Sequence, residues 1–99
     1  MIVTVFRNRL NPEAADEYYP MAEKMSEEAQ KIPGYISHKT FAAEDGERVT
    51  IVEHESMDAV QLWSKHAGHM EAKKKGRDSF YDEYSIQVCE VIRSNKKSK

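Results

Sequence analysis

Residues Ile2 to Asn8, IVTVFRN, are rich in β-branched side chains and too few for a helix, so they predict a first strand. Asn11-Pro12 then supplies a cap followed by a proline suited to a first helical turn. Ala15, Tyr18, Ala22, Met25, Ala29 and Ile32 recur at three- and four-residue steps with Glu and Lys between them, which predicts an amphipathic helix of about 18 residues. Pro20 falls on its polar side and is expected to kink it; Pro33-Gly34 is expected to end it. Tyr35 to Ala43 and Arg48 to Glu55 read as two strands flanking Glu44-Asp45-Gly46-Glu47, and Asp-Gly between alternating runs is a strong hairpin signal. Ser56 reads as the N-cap of a second helix, with Asp58 near its positive end and Val60, Trp63 and Ala67 as its inner stripe. Gly68 is expected to break that helix, with a further helical piece from about His69 to Lys75 that Gly76 closes. Tyr84, Ile86 and Val88 then alternate with Ser85, Gln87 and Cys89 in a last strand reaching about Arg93.

The order βαββαβ predicts an α+β, ferredoxin-like domain, a four-stranded antiparallel sheet with its helices on one face. The opposite face is not plainly polar. Ile86 and Val88 oppose Cys89 and Val91 across the alternation of the last strand, and Ile36 and Ile51 oppose Phe41 and Val52 in the hairpin. A sheet apolar on both faces must bury both, and one layer of helices covers only one, so a homodimer packed sheet to sheet is expected.

The chain's 99 residues make one domain, read as residues 1–93 followed by a basic, disordered tail at 94–99. Fifteen basic against seventeen acidic residues leave a net charge of −2, which offers no bulk attraction to nucleic acid. Cys89 is the only cysteine, so a buried structural thiol and a reducing compartment are expected. MIVTVFRNRL does not read as a secretory leader and no apolar run is long enough to span a membrane, so the expected location is cytoplasmic. His66 and His69 lack any CxxC or HExxH companion, and His38 and His54 lie on the hairpin strands beside Glu53 and Glu55; no dedicated metal site is expected.

The segment Trp63 to Tyr84 gathers the only tryptophan with two of the four histidines, Arg77, Phe80, Tyr81 and Tyr84. With Pro33-Gly34-Tyr35 before the second strand and Gly76-Arg77 leading to the last, the chain resembles the antibiotic biosynthesis monooxygenase family over residues 2–93. That resemblance implies a dimeric α+β barrel with a pocket in each protomer. It also implies a cofactor-independent monooxygenase that oxidises a small aromatic phenol or hydroquinone to a quinone with dioxygen. Such chemistry wants an apolar slot, one base and one or two donors for the developing oxyanion. The residues expected to supply it are Trp63 to stack on the ring, His66 or His69 to take the proton, and Asn8 to hold an oxygen. Phe41, Arg77, Tyr81 and Tyr84 would line the substrate.

Each of these has a plainer reading. Trp63 also suits the core, His66 and His69 a polar edge, Asn8 a turn, Arg77 an ion pair with Asp78 or Glu83, and the tyrosines a lid over the core. One branch of the family degrades haem with an asparagine at the end of strand one, a tryptophan in helix two and an axial histidine. Asn8-Arg9-Leu10 and Trp63 match the first two, but Lys73 stands where the histidine belongs, so haem is the alternative cofactor to none. A dimer that binds a small ligand without turning it over is the third reading.

Overall fold

The computed structural model describes residues 1–98 and, within them, leaves the side chain of Ala67 aside. Its strands are β1 (Ile2–Leu10), β2 (Tyr35–Ala42), β3 (Arg48–His54) and β4 (Tyr81–Glu90); its helices are α1 (Ala15–Ala29), α2 (Met57–Lys65) and α3 (Ala67–Lys75). The strands form one antiparallel sheet in the order β2-β3-β1-β4, so β1 runs between β3 and β4 and each helical crossover skips a strand. This is the expected ferredoxin-like arrangement.

The register assigns every sheet residue to a face. Ile2, Thr4, Phe6 and Asn8 of β1 pair with His54, Val52, Thr50 and Arg48 of β3 and share a face with Val88, Ile86 and Tyr84 of β4. The helices lie on this face: Ser26 of α1 meets His38 at 2.9 Å, and Arg48 lies under the rings of Tyr18 and Tyr19. The opposite face carries Val3, Val5, Ile51, Val49 and Phe41 with two ion-paired arginines, Arg7 to Glu47 and Arg9 to Asp45. Ile51 therefore joins Phe41 on the open face and Val52 turns to the helices, the reverse of the grouping expected from alternation alone. The hairpin register decides this by setting Phe41 against Val49, and a register shift between Tyr35 and Ser37 leaves Ile36 without a strand partner.

The core is small: Ile2, Ala29, Ala59 and Phe80 are buried, together with the polar Asn8 and His54. Alanine at 29 and 59 lets backbones approach closely. A Cβ placed on Gly34, whose φ is +88°, would stand 2.6 Å from the Ala59 Cβ. Pro20 lies inside α1 on its exposed side without ending it.

Two local expectations are corrected. The break after α2 falls at His66, whose ψ of 131° is extended, and not at Gly68, which lies in the first turn of α3. Gly68 packs closely there, since a Cβ would stand 3.2 Å from Met25 Cε, the tip of a flexible side chain. Gly76 caps α3 after Lys75, as expected, and the chain then runs through a wide π turn, Gly76–Phe80, in which a Cβ on Gly76 would stand 2.8 Å from Tyr81 Cε2. Cys89 is exposed, because it lies on the open face of β4, where nothing from its own chain covers it.

Candidate functional site

Two clusters of chemically capable side chains lie under the helices. The first is built where α2 turns into α3. Trp63 ends the inner stripe of α2, and the extended residue His66 folds the chain back so that both histidines reach the indole. His69 stacks flat on Trp63, centroid to centroid 4.1 Å at 9°, and His66 lies tilted at 5.5 Å. The Trp63 carbonyl oxygen binds both residues, accepting from the His66 backbone N–H at 3.1 Å and lying 3.0 Å from His69 Nδ1. A carbonyl only accepts, so neutral His69 carries its proton on Nδ1.

Burial is the main reason that the His69 imidazole is held down to about pKa 4, with Lys73 and His66 adding to the effect and the bond to Trp63 opposing it. His69 is therefore neutral at pH 7 and a weak base. His66 differs. Its Nε2 lies 3.6 Å from Glu28 Oε2, within ion-pair range though longer than a hydrogen bond, and its Nδ1 is buried without a partner. Glu28 comes from α1 and had no place in the expected site. Its half-buried position one turn beyond Met25 on that helix is the signal that marks it.

The second cluster lies at the far end of the sheet. Register places Ala42, Arg48, Asn8 and Tyr84 in one row on the helix-side face. Asn8 is 3% exposed, and its Oδ1 is buried with no partner. Around the row stand Tyr81, 5.2 Å from Phe6 and 5.8 Å from Tyr18, and Tyr84, 6.2 Å from Phe6. Burial, reinforced by Tyr18, pushes the Tyr81 hydroxyl well above the ordinary phenol range, so it stays protonated and able to donate. Arg48 is the residue of this row that sequence reading missed; it shares its parity with Thr50, Val52 and His54, so a charge at a helix-facing position was legible.

The expected constellation is thus divided. Trp63, His66 and His69 come together; Asn8, Tyr81 and Tyr84 come together; among the described residues no hydrogen bond or ring contact joins the two groups. Tyr18 and Glu28, which mark them on α1, are ten residues apart, about 15 Å along the axis. Phe41 belongs to neither group. It is half exposed on the open face, where Lys39 lies over its ring at 5.5 Å, with the sheet between it and Asn8. Arg77 is exposed in the π turn and among the described residues makes no ion pair, since Glu83 pairs with Arg9 at 3.5 Å.

Haem does not fit these residues. Lys73, at the position where an axial imidazole is needed, donates to Ser64 O at 2.9 Å and Ser64 Oγ at 3.0 Å across the end of α2. His69 is committed to Trp63 and His66 faces Glu28. The clefts of about 180 Å³ and 370 Å³ on the surface are lined largely by charged side chains and touch neither histidine. Among the described residues no group of three or more His, Cys, Asp or Glu is arranged to hold a metal ion, and no helix is long and apolar enough to cross a membrane.

Two buried histidines make stability depend on pH. Burial also lowers His54, which is 1% exposed with both ring nitrogens unpartnered. In the unfolded chain each titrates near 6.5, so between about pH 6.5 and 4 the unfolded state binds more protons, and stability present above pH 6.5 is lost as pH falls. The expected loss for His69 across that window is about 3 kcal/mol. Thermal melts at pH 7, 6 and 5 check this: Tm should fall with pH, and His69→Gln should flatten the fall. An unchanged Tm, or the same slope in His69→Gln, refutes it.

The antibiotic biosynthesis monooxygenase family model matches residues 1–75. The uncharacterized protein YqjZ of Bacillus subtilis is 36% identical over 76 residues, covering 77% of this chain and 67% of that protein. The jasmonate monooxygenase ABM of Pyricularia oryzae is 26% identical over 101 residues, 97% of this chain, which spans 47% of that protein, about half its length. SnoaB, a cofactor-independent oxygenase from Streptomyces nogalater, superposes with a TM-score of 0.80 at 14% identity, covering 97% of each chain; at that identity the likeness is one of fold.

Proposed function

Because the chain belongs to the antibiotic biosynthesis monooxygenase family, we propose that it is a cofactor-independent monooxygenase that converts a small phenol to a quinone at the Trp63–His66–Glu28 cluster. The observation that carries this reading is the pairing of a stacked indole with a histidine that has a carboxylate at one nitrogen and nothing at the other. The fold it shares with SnoaB supports the class of reaction.

The steps balance without a cofactor. His66 takes the phenol proton on Nδ1, and Glu28 stabilises the imidazolium. The electron-rich phenolate passes electrons to dioxygen and a carbon–oxygen bond forms at a ring carbon. The proton on His66 goes to the outer oxygen of the peroxide. Loss of the ring C–H proton then cleaves the O–O bond, one oxygen staying as the second carbonyl and the other leaving as water. The substrate supplies all the electrons. Trp63 presents a flat apolar wall, and His69, neutral and bonded to Trp63 O, holds that wall in place.

A homodimer belongs to the same proposal. Tyr84, Ile86 and Val88 are each about half exposed on the helix-side face of β4, and Phe41 and Ile51 are exposed on the open face. An edge strand, β4, left uncovered on its apolar helix-side face, together with apolar residues of β2 and β3 on the open face, is a liability that a second copy removes.

The test is oxygen uptake by the metal-free protein with a panel of phenols, hydroquinones and anthrones, run beside sedimentation at micromolar concentration. The expected result is uptake of one O₂ per quinone formed, by a dimer. No turnover with any member of the panel would instead favour a dimer that binds a small ligand without reacting with it.

A further inference from the structure

A third group of reactive side chains, used by none of the chemistry above, lies on the edge strand β2 where α1 meets it. Ser26 Oγ lies 2.9 Å from His38 Nε2, and Tyr35 Oη lies 2.6 Å from His38 Nδ1. Residues three apart on a regular strand point to opposite faces. Tyr35 and His38 share one only because of the irregularity at Ile36, where the register slips between Tyr35 and Ser37. The bulge thus aims His38 at α1 and puts the phenol behind it. Tyr35 is itself held between two rings, edge-on to His38 at 5.7 Å and to the buried His54 at 6.2 Å.

A hydroxyl, an imidazole and a second hydroxyl in that order can activate an alcohol: a nucleophile, a base within hydrogen-bond reach, and a group that orients the base. A phenol oxygen accepts as well as donates. With the imidazole proton on Nδ1 and donated to Tyr35, Nε2 is left to accept from Ser26 and to take its proton. Ser26 Oγ has no other partner among the described residues, the Gln30 amide donating to its carbonyl instead at 3.1 Å. All three residues are half-buried, so a small molecule reaches the hydroxyl while the relay behind it is sheltered. Ser26 stands in the interior of α1, whose backbone N–H groups are spent on the helix. No free backbone donor accompanies the hydroxyl to hold a developing oxyanion. The acyl donor must therefore bring a good leaving group of its own, as thioesters and aryl esters do and amides do not.

We propose that Ser26 is a nucleophile that accepts an acyl group from a small thioester or aryl ester, with His38 as its base and Tyr35 as the residue that positions His38. Ser26 Oγ bonds to the acyl carbon while its proton passes to Nε2. The carbon–sulfur or carbon–oxygen bond of the donor breaks, and Nε2 gives the proton to the departing thiolate or phenolate. Water, deprotonated by the same Nε2, then releases the acid and returns Ser26 to its starting state. Nothing is oxidised or reduced. The serine ester is a poorer acyl donor than the aryl ester that formed it, so this second step is the slow one. The acyl chemistry stands apart from the Trp63–His66–Glu28 cluster and does not depend on the oxygenase reading.

The test is incubation of the full chain with p-nitrophenyl acetate, following nitrophenolate release and mapping the acetylated peptide by mass spectrometry. The expected result is a burst of about one nitrophenolate per chain and an acetyl ester on Ser26. Ser26→Ala should abolish both, and His38→Gln should slow acetylation by roughly 10²- to 10⁴-fold. Tyr35→Phe keeps the ring and should lower the maximal acetylation rate about tenfold at an unchanged half-saturating ester concentration, a split that loosened packing does not give. Ser37→Ala is the control, since that hydroxyl donates to Glu53 on the open face; its burst should be unchanged. Should Ser26→Ala or His38→Gln fail to fold, the position of the acetyl group on the unaltered protein decides. Acetyl groups confined to lysines, no burst, or a burst that survives Ser26→Ala would overturn the proposal, whatever the oxygen-uptake assay shows.

Discussion

Gly34→Ala is expected to destabilise the domain by roughly 2–5 kcal/mol, the sum of a left-handed alanine and an overpacked contact. The first part comes from the backbone: φ at Gly34 is +88°, a region that L side chains rarely adopt. The second comes from the 2.6 Å that would separate the new Cβ from the Ala59 Cβ. Ala59 cannot step aside, being 3% exposed in the first turn of α2. Nor can Gly34 readily shift, since its carbonyl accepts the Glu55 N–H at 2.8 Å and so ties the start of β2 to the end of β3. For a domain of this size the fall in Tm is more than about 10 °C, measurable by circular dichroism. Gly46→Ala is the internal control. Its φ is +92°, yet the only neighbour of its new Cβ is Arg9 Nη1 at 3.8 Å, an ordinary van der Waals contact, so it carries the backbone cost of roughly 1–2 kcal/mol alone. Equal losses for the two variants would show that the approach of Gly34 to Ala59 does not matter.

That pair of glycines also marks what could be read from the chain before folding it. The turn at Gly46 is local: Asp-Gly between two alternating runs needs no knowledge of the rest of the molecule, and β2 and β3 lie where alternation placed them. The βαββαβ order and the Ser56 cap were legible for the same reason, the cap accepting the Ala59 N–H at 3.3 Å. Gly34 and Gly76 are held close by what packs on them, Ala59 and Tyr81, with Met25 near Gly68, and no local pattern names a tertiary neighbour. Gly68 was therefore read as a helix breaker when it lies inside the first turn of α3, whereas Gly76 does cap that helix. The site divides along the same line. Trp63, His66 and His69 are close in sequence and close in space, whereas the position of Asn8 depends on which strands flank β1 and which helix crosses above it. The hairpin register, Phe41 against Val49, puts Phe41 on the face of Ile51, and the pairing of Asn8 with Arg48 puts Asn8 on the other. Arg48 and Glu28 escaped notice because exposure is the default for charged residues, although the parity of Arg48 with Val52 and His54 and the place of Glu28 one turn beyond Met25 were there to read.

His66→Ala is expected to lower kcat/KM for phenol oxidation by roughly 10²- to 10⁴-fold, the range for removing a positioned general base. Two histidines touch Trp63, and the reading assigns the proton to only one of them. His69 is buried enough to be held at about pKa 4, spends Nδ1 on the Trp63 carbonyl and stacks on the indole, so its removal loosens a wall without removing a base. His69→Ala is accordingly expected to raise KM and lower Tm more than it lowers kcat. Glu28 acts through His66. The 3.6 Å between its carboxylate and Nε2 gives about 1 kcal/mol of Coulomb energy even at the dielectric of water, so Glu28→Gln should cost about fivefold in kcat with little change in KM. Glu28→Asp, which keeps the charge on a shorter arm, should recover part of that loss. Steady-state oxygen consumption with the best phenol of the panel checks all four variants. If His66→Ala stayed within about threefold of the unaltered protein, the expected proton transfer would be absent and the indole would be acting as a platform alone. If His69→Ala lost as much in kcat as His66→Ala, the distinction drawn from burial and from the partner of each ring nitrogen would be wrong, because nothing else in the cluster separates the two imidazoles.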